Sequence, residues 1–336
     1  MVDSDADGLP LDTAFRQQRL KAWQPILTPK TVLPLFFAIG IIFAPIGGAL
    51  LYASAKVQEI SIDYSLCIRD APDCQADGSP PDTSSAIIPS SKVTSYFKNE
   101  TESGNEPTWC QKTESVPYPS ADQRSLTLDT PTCVLQWYLP DRLDPPVLLY
   151  YRLTNFYQNH RRYVKSFDQQ QLEGDARDRK AIEGSDCEPL QVDPDTHKPY
   201  YPCGLIANSI FNDTFNSPVL LNSAGSGSSN TTYQMTTEGI AWSSDRALYG
   251  ETDYDYGDVV PPLNWRKRYP AYNDSFPFPD LKTDEAFHVW MRTAGLPTFS
   301  KLALRNDREA MEIGRYEMEI YDGTSPLCMT RRPGRH

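Results

Sequence analysis

The stretch VLPLFFAIGIIFAPIGGALLYA occupies residues 32–53 and contains no charged residue. As an α-helix it would be about 33 Å long, enough to cross a hydrocarbon core of roughly 30 Å. Pro34 and Pro45 lie inside it, and membrane helices tolerate proline where neighbouring helices or local unwinding satisfy the freed carbonyl groups. Gly47 and Gly48 leave a smooth strip that a second helix can approach closely. The stretch therefore predicts a transmembrane helix.

The charges around this stretch predict its orientation. Four basic residues precede it and one follows closely: Arg16, Arg19, Lys21, Lys30 and Lys56. Because segments rich in Lys and Arg stay in the cytoplasm, we expect residues 1–31 to form a cytoplasmic tail. The chain from residue 54 onward should then lie outside the cell or in the secretory lumen. The apolar run is longer than a signal-peptide core and starts farther into the chain, which favours a retained anchor.

The overall charge limits the partners of the remaining chain. The protein has 336 residues and a formal net charge of −12, and the acidic excess lies after the predicted helix. A net-negative domain argues against nucleic acid and against binding to anionic lipid through bulk charge. The chain after the helix is long enough for one large domain or two small ones.

Cysteines and glycosylation triplets support the same topology. All seven cysteines follow the helix, where disulfides persist, and six can pair while one is left over. They are Cys67, Cys74, Cys110, Cys133, Cys187, Cys203 and Cys328. Asn-x-Ser/Thr triplets also follow the helix, and they begin at Asn99, Asn212, Asn230 and Asn273. Together with the charges, these patterns favour a glycosylated ectodomain with disulfides.

Residue alternation predicts that this ectodomain, residues 54–321, is mainly antiparallel β. Val147–Leu153 is rich in β-branched and aromatic residues, and residues 315–321 alternate apolar with charged side chains. Within residues 287–291, apolar side chains stand at every second position, namely Phe287, Val289 and Met291, which also predicts a strand. Residues 67–133 lack apolar periodicity and are predicted to be a loop-rich, disulfide-held insertion. We expect a β-sandwich-like domain with long loops and short helices.

The chain contains one weak candidate for catalysis, the sequence Asp253-Tyr254-Asp255. Golgi glycosyltransferases of this topology use two such carboxylates to hold a divalent metal on a nucleotide-sugar diphosphate. No apolar strand leads into the pair, and the α/β alternation of a nucleotide-binding sheet is missing, so a solvated acidic loop is favoured. The four histidines lack metal-ligand spacing, and no cofactor or metal is predicted. A membrane glycosyltransferase using Asp253 and Asp255, or a plain structural glycoprotein, remains an alternative.

A segment rich in basic and aromatic residues occupies residues 157–165. Such segments occur in nucleic-acid-binding proteins, but nucleic acid is not expected outside the cell membrane. We expect a strand edge on which Arg161 and Arg162 pair with nearby acidic residues.

Several stretches, in this order and spacing, resemble those of one known family. They are NFYQNHRRYVKS, CEP…PCGLIANSIFNDTF, GIAWSSD, Asn264-Trp265, VWMRTAGLPTFSKL and GRYEMEI. Over roughly residues 15–320 the chain is similar to the β-subunits of type IV P-type ATPases, the family called cell division control protein fifty or ligand-effect modulator. The long segment between Cys74 and Cys133 resembles the fungal branch.

The resemblance implies a function without catalysis. Members of this family are accessory glycoproteins of lipid flippases, in which the partner ATPase forms the aspartyl-phosphate and moves a phospholipid between leaflets. The β-subunit is needed for the partner to leave the endoplasmic reticulum, and it contacts the partner's extracellular loops and membrane domain. The implied partners are a type IV P-type ATPase and membrane lipid. The implied compartments are the endoplasmic reticulum, Golgi, endosomes and plasma membrane.

The resemblance also implies roles for individual residues. The implied disulfides are Cys187–Cys203, Cys67–Cys133 and Cys74–Cys110. Asn212, within IANSIFNDT, corresponds to a glycosylated asparagine of the family. The other three triplets rest on their sequence alone.

The chain departs from the family pattern after Ile320. Relatives have a second membrane helix after the β domain, whereas residues 322–336 are hydrophilic, contain Cys328 and end in basic residues. A gene-sequence error and a genuine truncated form both fit this tail, and the free thiol and basic end favour the error. With one helix, we expect the chain to enter the membrane but to hold its ATPase weakly.

Overall fold

The computed structural model describes residues 28–99, 104–118, 126–221 and 230–323. The predicted cytoplasmic tail up to residue 27 lies outside these ranges, as does Cys328 in the predicted divergent tail. Glu100 and Thr101 of the first glycosylation triplet also lie outside them. The chain divides into two compact units, residues 1–57 and residues 58–336.

The first unit contains one long helix, α1 (Pro29–Ala55), which includes the whole predicted apolar stretch. Pro29 lies in the first turn, where its missing N–H leaves no helical hydrogen bond unmade. Large apolar side chains such as Phe36 and Phe43 are exposed along it. Among the described residues, α1 is the only helix long and apolar enough to cross a membrane.

The second unit is built mainly from antiparallel strands. In the described part of the chain they are β1 (Glu59–Ile62), β2 (Val93–Tyr96), β3 (Thr108–Tyr118), β4 (Leu126–Leu139), β5 (Val147–Leu153), β6 (Thr214–Phe215), β7 (Val219–Leu221), β8 (Thr231–Thr232), β9 (Phe299–Asn306) and β10 (Gly314–Tyr321). The largest sheet has the order β3-β4-β10-β7-β8, and β6 also pairs with β10. β1 pairs with β2 and β5 pairs with β9, so two ribbons accompany the sheet.

Strand β10 shows why the sheet forms. Its Tyr316, Met318 and Ile320 are buried, and the charged residues between them are half-exposed, as period-two alternation predicts. Tyr316 lies opposite Trp137 of β4, and their rings stack with centroids 6.2 Å apart. Side chains from β1, β2 and β5 pack against the same core cluster, which places both ribbons against the sheet.

Short helices lie between the strands. They are α2 (Cys67–Asp70), α3 (Arg161–Val164), α4 (Gln169–Glu173), α5 (Arg179–Glu183), α6 (Leu205–Asn208), α7 (Ser243–Arg246) and α8 (Glu285–Met291). Aromatic side chains form the cluster that packs the loops of this region, including Tyr201, Trp265 and Phe287. Packing of these rings, rather than helix length, stabilises the segment because helices this short are marginal by themselves.

The prediction of a loop-rich insertion over residues 67–133 is wrong in part. This segment contains all of β3 and the first half of β4, which pair along their length from Thr108 opposite Gln136 to Tyr118 opposite Leu126. The segment is rich in Pro and Asp, which are depleted in strands, so its composition did not indicate one. The backbone ladder and the two disulfides of this region stabilise the hairpin instead.

The predicted strand over residues 287–291 is also wrong, since this segment is the end of helix α8. Asp284 caps the helix by accepting a hydrogen bond of 3.0 Å from the backbone N–H of Phe287. Phe287 and Trp290 are buried, and their spacing of three residues fits one helical face. Three apolar residues at alternate positions form too short a pattern to distinguish the two-residue period of a strand from the 3.6-residue period of a helix.

Candidate functional site

The Asp-x-Asp sequence lies on an extended surface loop. Tyr254 is buried, and its hydroxyl donates a hydrogen bond of 2.7 Å to the carbonyl oxygen of Arg177. Asp253 and Asp255 are both exposed, because alternate residues of an extended chain point to opposite sides. The described residues include no group of three or more His, Cys, Asp or Glu side chains that could hold a metal ion.

Two disulfides hold the hairpin and the chain that precedes it. Cys67 is bonded to Cys133 with their Cα atoms 5.9 Å apart, and Cys74 to Cys110 with Cα atoms 5.0 Å apart. Cys110 belongs to β3 and Cys133 to β4, so the bridges attach α2 and the following loop to the central sheet. The pairs are nested, as the family resemblance implies.

The third disulfide, Cys187–Cys203, closes a loop beside α3 and α6. Ser166 joins the two sides: its hydroxyl donates to the carbonyl oxygen of Glu188 and accepts a hydrogen bond of 2.8 Å from the N–H of Leu205. Gly204 has φ +98°, and a Cβ atom there would lie 2.1 Å from the carbonyl oxygen of Ser166. Only glycine fits at this crossing.

Helix α6 is where several of the quoted stretches meet. The indole N–H groups of Trp265 and Trp290 donate hydrogen bonds of 2.8 Å to the carbonyl oxygens of Ala207 and Ile206. Asn208 accepts through its side chain from the N–H of Asn264 over 3.0 Å. The last carbonyl groups of a helix lack intrahelical partners, and these residues satisfy them. Stretches far apart in sequence are thus needed together to form one local structure.

Two asparagines of the triplets lie on exposed turns. Asn273 accepts a hydrogen bond of 2.9 Å from the N–H of Ser275 through Oδ1, and its side chain is exposed. Asn99 is also exposed, and its Nδ2 donates a hydrogen bond of 2.7 Å to Oδ1 of Asp141. Asp141 further accepts from the N–H of Lys98, so this aspartate organises the turn.

The other two asparagines differ in burial. Asn230 is exposed directly before β8. Asn212 is half-buried, and its Nδ2 donates a hydrogen bond of 2.9 Å to the carbonyl oxygen of Gly323. A glycosylated amide keeps one N–H hydrogen, so this bond and a glycan are compatible.

The basic segment is not the predicted strand edge. Residues 161–164 form the short helix α3, and His160 caps it by accepting from the N–H of Arg162. Arg162 pairs with Glu188 at 2.8 Å, as expected. Arg161 makes no ion pair with any residue that the structure describes, so the predicted pairing is wrong for this residue.

A groove runs beside this helix. It has a volume of about 480 Å³ and is here called the basic groove; its lining residues are His160, Arg161, Arg162, Lys165, Ser185, Asp186 and Glu188. One wall is α3 with the residues on either side, and the other is the loop that contains Cys187. The basic groove could not be predicted from sequence because its walls are some 20 residues apart and meet only through the fold.

Lys301 is a buried cation that sequence analysis missed. It is 7% exposed, and its ammonium group donates to the carbonyl oxygens of Val289, Trp290 and Arg292 over 2.6, 3.0 and 2.6 Å. It therefore caps the C-terminus of α8. Burial, together with the nearby charge of Arg292, lowers the pKa of Lys301 to about 7. No alternation in the sequence could have indicated this burial, because the buried positions of β9 do not follow a strict two-residue period.

Comparison with known proteins defines the class. Residues 50–323 match the profile of the LEM3 (ligand-effect modulator 3) family / CDC50 family, which spans most of the chain. The chain belongs to this family. The match includes the nested cysteines, the α6 region and β10, all of which lie inside these residues.

Curated relatives agree with the family profile. The chain is 43% identical over 324 residues to the phospholipid-transporting ATPase accessory subunit CDC50 of Chaetomium thermophilum, covering 95% of this chain and 76% of the relative. It is 36% identical over 315 residues to the accessory subunit LEM3 of Saccharomyces cerevisiae, covering 93% and 70%. It is also 36% identical over 324 residues to cell cycle control protein 50A of Bos taurus, covering 93% and 74%.

Proposed function

We propose that this protein is a non-catalytic accessory subunit of a phospholipid-transporting ATPase, a lipid flippase of the type IV P-type class. The observation that supports this most strongly is the family match over residues 50–323, with fungal relatives that carry this name. In this role the chain binds and stabilises the ATPase, which performs the phosphorylation and the lipid transport. It also supports export of the ATPase from the endoplasmic reticulum.

We infer that α1 crosses the membrane with the N-terminus in the cytoplasm. Its exposed apolar side chains and its length of about 40 Å support this placement. The basic residues before the helix support the orientation. The resulting segments are a tail (1–31), a helix (32–53), an exoplasmic ectodomain (54–321) and a divergent tail (322–336). The complex would operate between the endoplasmic reticulum, Golgi, endosomes and plasma membrane.

We also propose that the ectodomain matures as a disulfide-bonded glycoprotein. The three bridges form in the oxidising lumen, and glycans attach at Asn99, Asn212, Asn230 and Asn273. Exposure of Asn99, Asn230 and Asn273 leaves room for a glycan. Replacing each asparagine with Gln should remove one glycosidase-sensitive step in gel mobility, and a triplet whose replacement changes nothing is unmodified.

Co-purification tests the function directly. Full-length tagged protein, extracted in detergent from cells that express it, should recover a large P-type ATPase identified by mass spectrometry. Asp253→Asn with Asp255→Asn serves as a matched control, because both residues are exposed and the proposed role does not use them. Recovery of no ATPase by the wild-type chain would refute the proposal. Manganese-dependent turnover of a nucleotide-sugar, lost in the control variant, would instead establish a glycosyltransferase.

Lipid asymmetry provides a second test. Loss of the gene should expose phosphatidylserine or phosphatidylethanolamine on the cell surface, because the ATPase would fail to reach its membrane. Normal asymmetry in the deletion strain, with normal export of its ATPases, would favour a plain structural glycoprotein.

A further inference from the structure

The ribbon of β1 and β2 begins soon after α1 along the chain. Helix α1 ends at Ala55 and β1 begins at Glu59, so only residues 56–58 separate them. Four steps from one Cα atom to the next reach at most about 14 Å, whatever the conformation of the chain. Given the transmembrane placement inferred for α1, the first residue of β1 therefore lies within that distance of the exoplasmic end of the helix. Covalent geometry alone sets this limit.

The fold fixes the end of the ribbon that contains Glu59. Tyr96 of β2 lies directly opposite Glu59 of β1. Asp141 is 8% exposed, and it accepts hydrogen bonds from Nε2 of Gln58 over 3.0 Å and from the N–H of Lys98 over 2.6 Å. This carboxylate joins the chain before β1 to the turn after β2. Hydrogen bonds to a charged group are the strong ones, so this end of the ribbon has a defined shape.

The side chains at this end are divided between the core and the solvent. Phe97 and Ile60 pack against the core cluster of the sheet. Tyr96 is 64% exposed, and Glu59 and Lys98 are also exposed. Neither charged residue forms an ion pair with any residue that the structure describes. We call Glu59, Tyr96 and Lys98 the ribbon end, a surface with one aromatic ring, one carboxylate and one ammonium group.

This combination of groups fits a surface of zwitterionic phospholipid. Tyrosine has an apolar ring and a polar hydroxyl, and it is enriched where a membrane meets water. Lys98 can pair with the phosphate of a headgroup, while its aliphatic chain covers apolar surface. Glu59 can pair with the positive nitrogen of the same kind of headgroup. Charges of both signs suit a neutral headgroup, whereas a chain with a net charge of −12 is poorly suited to an anionic one.

We propose that the ribbon end rests on the exoplasmic leaflet and binds the headgroups of zwitterionic phospholipids. This inference rests on the placement of α1 under the proposed function, and it goes beyond that function because it assigns a lipid contact to the ectodomain itself. The rigid turn at Asp141 transmits the contact to the sheet, so the leaflet helps to orient the ectodomain.

Site-specific photo-crosslinking tests the contact. The full chain with Tyr96→p-benzoylphenylalanine is reconstituted without an ATPase into phosphatidylcholine vesicles and irradiated. After glycosidase treatment, the peptide that contains residue 96 should gain the mass of one phosphatidylcholine molecule. The same probe in the variant Lys98→p-benzoylphenylalanine should also give this mass gain. The matched control is Tyr256→p-benzoylphenylalanine, because Tyr256 is 45% exposed and packs on Phe278 in the other aromatic cluster, and it should give no lipid adduct.

Several results would overturn the inference. They are the absence of a lipid adduct at both positions of the ribbon end, equal adducts in the control, and adducts formed only with a second copy of the chain. In native membranes, crosslinks at residue 96 to the ATPase alone would assign the ribbon end to a protein interface instead.

Failure of the proposed function gives a different result. Release of the protein from the vesicles by alkaline extraction would refute the transmembrane placement of α1, and this inference with it. Failure to recover an ATPase from cells would refute the accessory role, but it would leave the lipid adducts in vesicles unchanged. The two failures are therefore distinguishable.

Discussion

The indole N–H of Trp265 donates a hydrogen bond of 2.8 Å to the carbonyl oxygen of Ala207, 58 residues away in sequence. Trp265 is buried, and Ala207 belongs to the four-residue helix α6. A helix of one turn has few internal hydrogen bonds, so its geometry depends on groups that satisfy its terminal carbonyls. The Asn264-Trp265 stretch therefore stabilises α6, which directly follows the third disulfide in the chain.

Removing this hydrogen bond should destabilise the ectodomain. Trp265→Phe keeps an aromatic ring but loses the donor, and we expect the free energy of unfolding to fall by about 1–3 kcal/mol. Chemical unfolding of the purified full chain in detergent measures the change. Trp242→Phe is the matched control, because Trp242 is 69% exposed, and it should change stability by less than about 0.5 kcal/mol. Equal effects of the two substitutions would contradict this account.

Gly204 should tolerate no side chain. In Gly204→Ala the new Cβ would meet the carbonyl oxygen of Ser166 at 2.1 Å in a left-handed backbone conformation, and we expect a loss of about 3 kcal/mol or more. Gly184→Ala is the control, since its φ is −89° and the nearest atom to its Cβ is 3.6 Å away. Protease resistance of the two variants compares them. If Gly204→Ala resisted the protease as well as wild type does, the segments that contain Ser166 and Gly204 would not be in the close contact described here.

Lys301 should make stability depend on pH. Its pKa of about 7 lies below the value of 10.5 expected in the unfolded chain, so the unfolded chain binds more protons between these values. Stability contributed by this group therefore rises with pH above 7, by up to about 1.4 kcal/mol per pH unit.

The variant Lys301→Met should lose this rise, and its stability should also fall by about 1–3 kcal/mol because three carbonyl groups lose their donor. Thermal unfolding of both proteins between pH 7 and 9 measures the difference in slope. Lys180→Met, at an exposed position, is the control and should keep the wild-type slope. Parallel curves for wild type and Lys301→Met would show that the lysine does not titrate in this range.

The disulfides should differ in their contribution. Cys67 and Cys133 are 66 residues apart and Cys187 and Cys203 only 16, so loop closure predicts losses of about 4 and about 3 kcal/mol when each pair is replaced by Ser. Denaturant unfolding without reductant compares them. Cys328→Ser, outside the three bridges, should leave stability unchanged. A larger loss for the shorter loop would contradict the loop-closure argument.

Local patterns were sufficient for some elements. The uncharged apolar run predicts α1, β-branched and aromatic residues predict β5, and alternation predicts β10, because each of these patterns depends only on neighbouring residues. Alternation failed over residues 287–291, where Asp284 caps a helix that buries Phe287 and Trp290 at helical spacing rather than every second residue. Strand β3 was missed because it depends on pairing with β4 rather than on its own composition.

By itself, the sequence determined the apolar helix, the side of it on which the cysteines and glycosylation triplets lie, and the family resemblance. Only the tertiary structure decided which charges are free. Arg161 and Lys165 form no ion pair with any residue that the structure describes, although Asp186 and Glu188 line the same groove, and Glu188 is bound to Arg162. Lys301 is buried because the C-terminus of α8 folds against β9. Both outcomes depend on contacts between distant segments, whose geometry no local pattern of residues encodes.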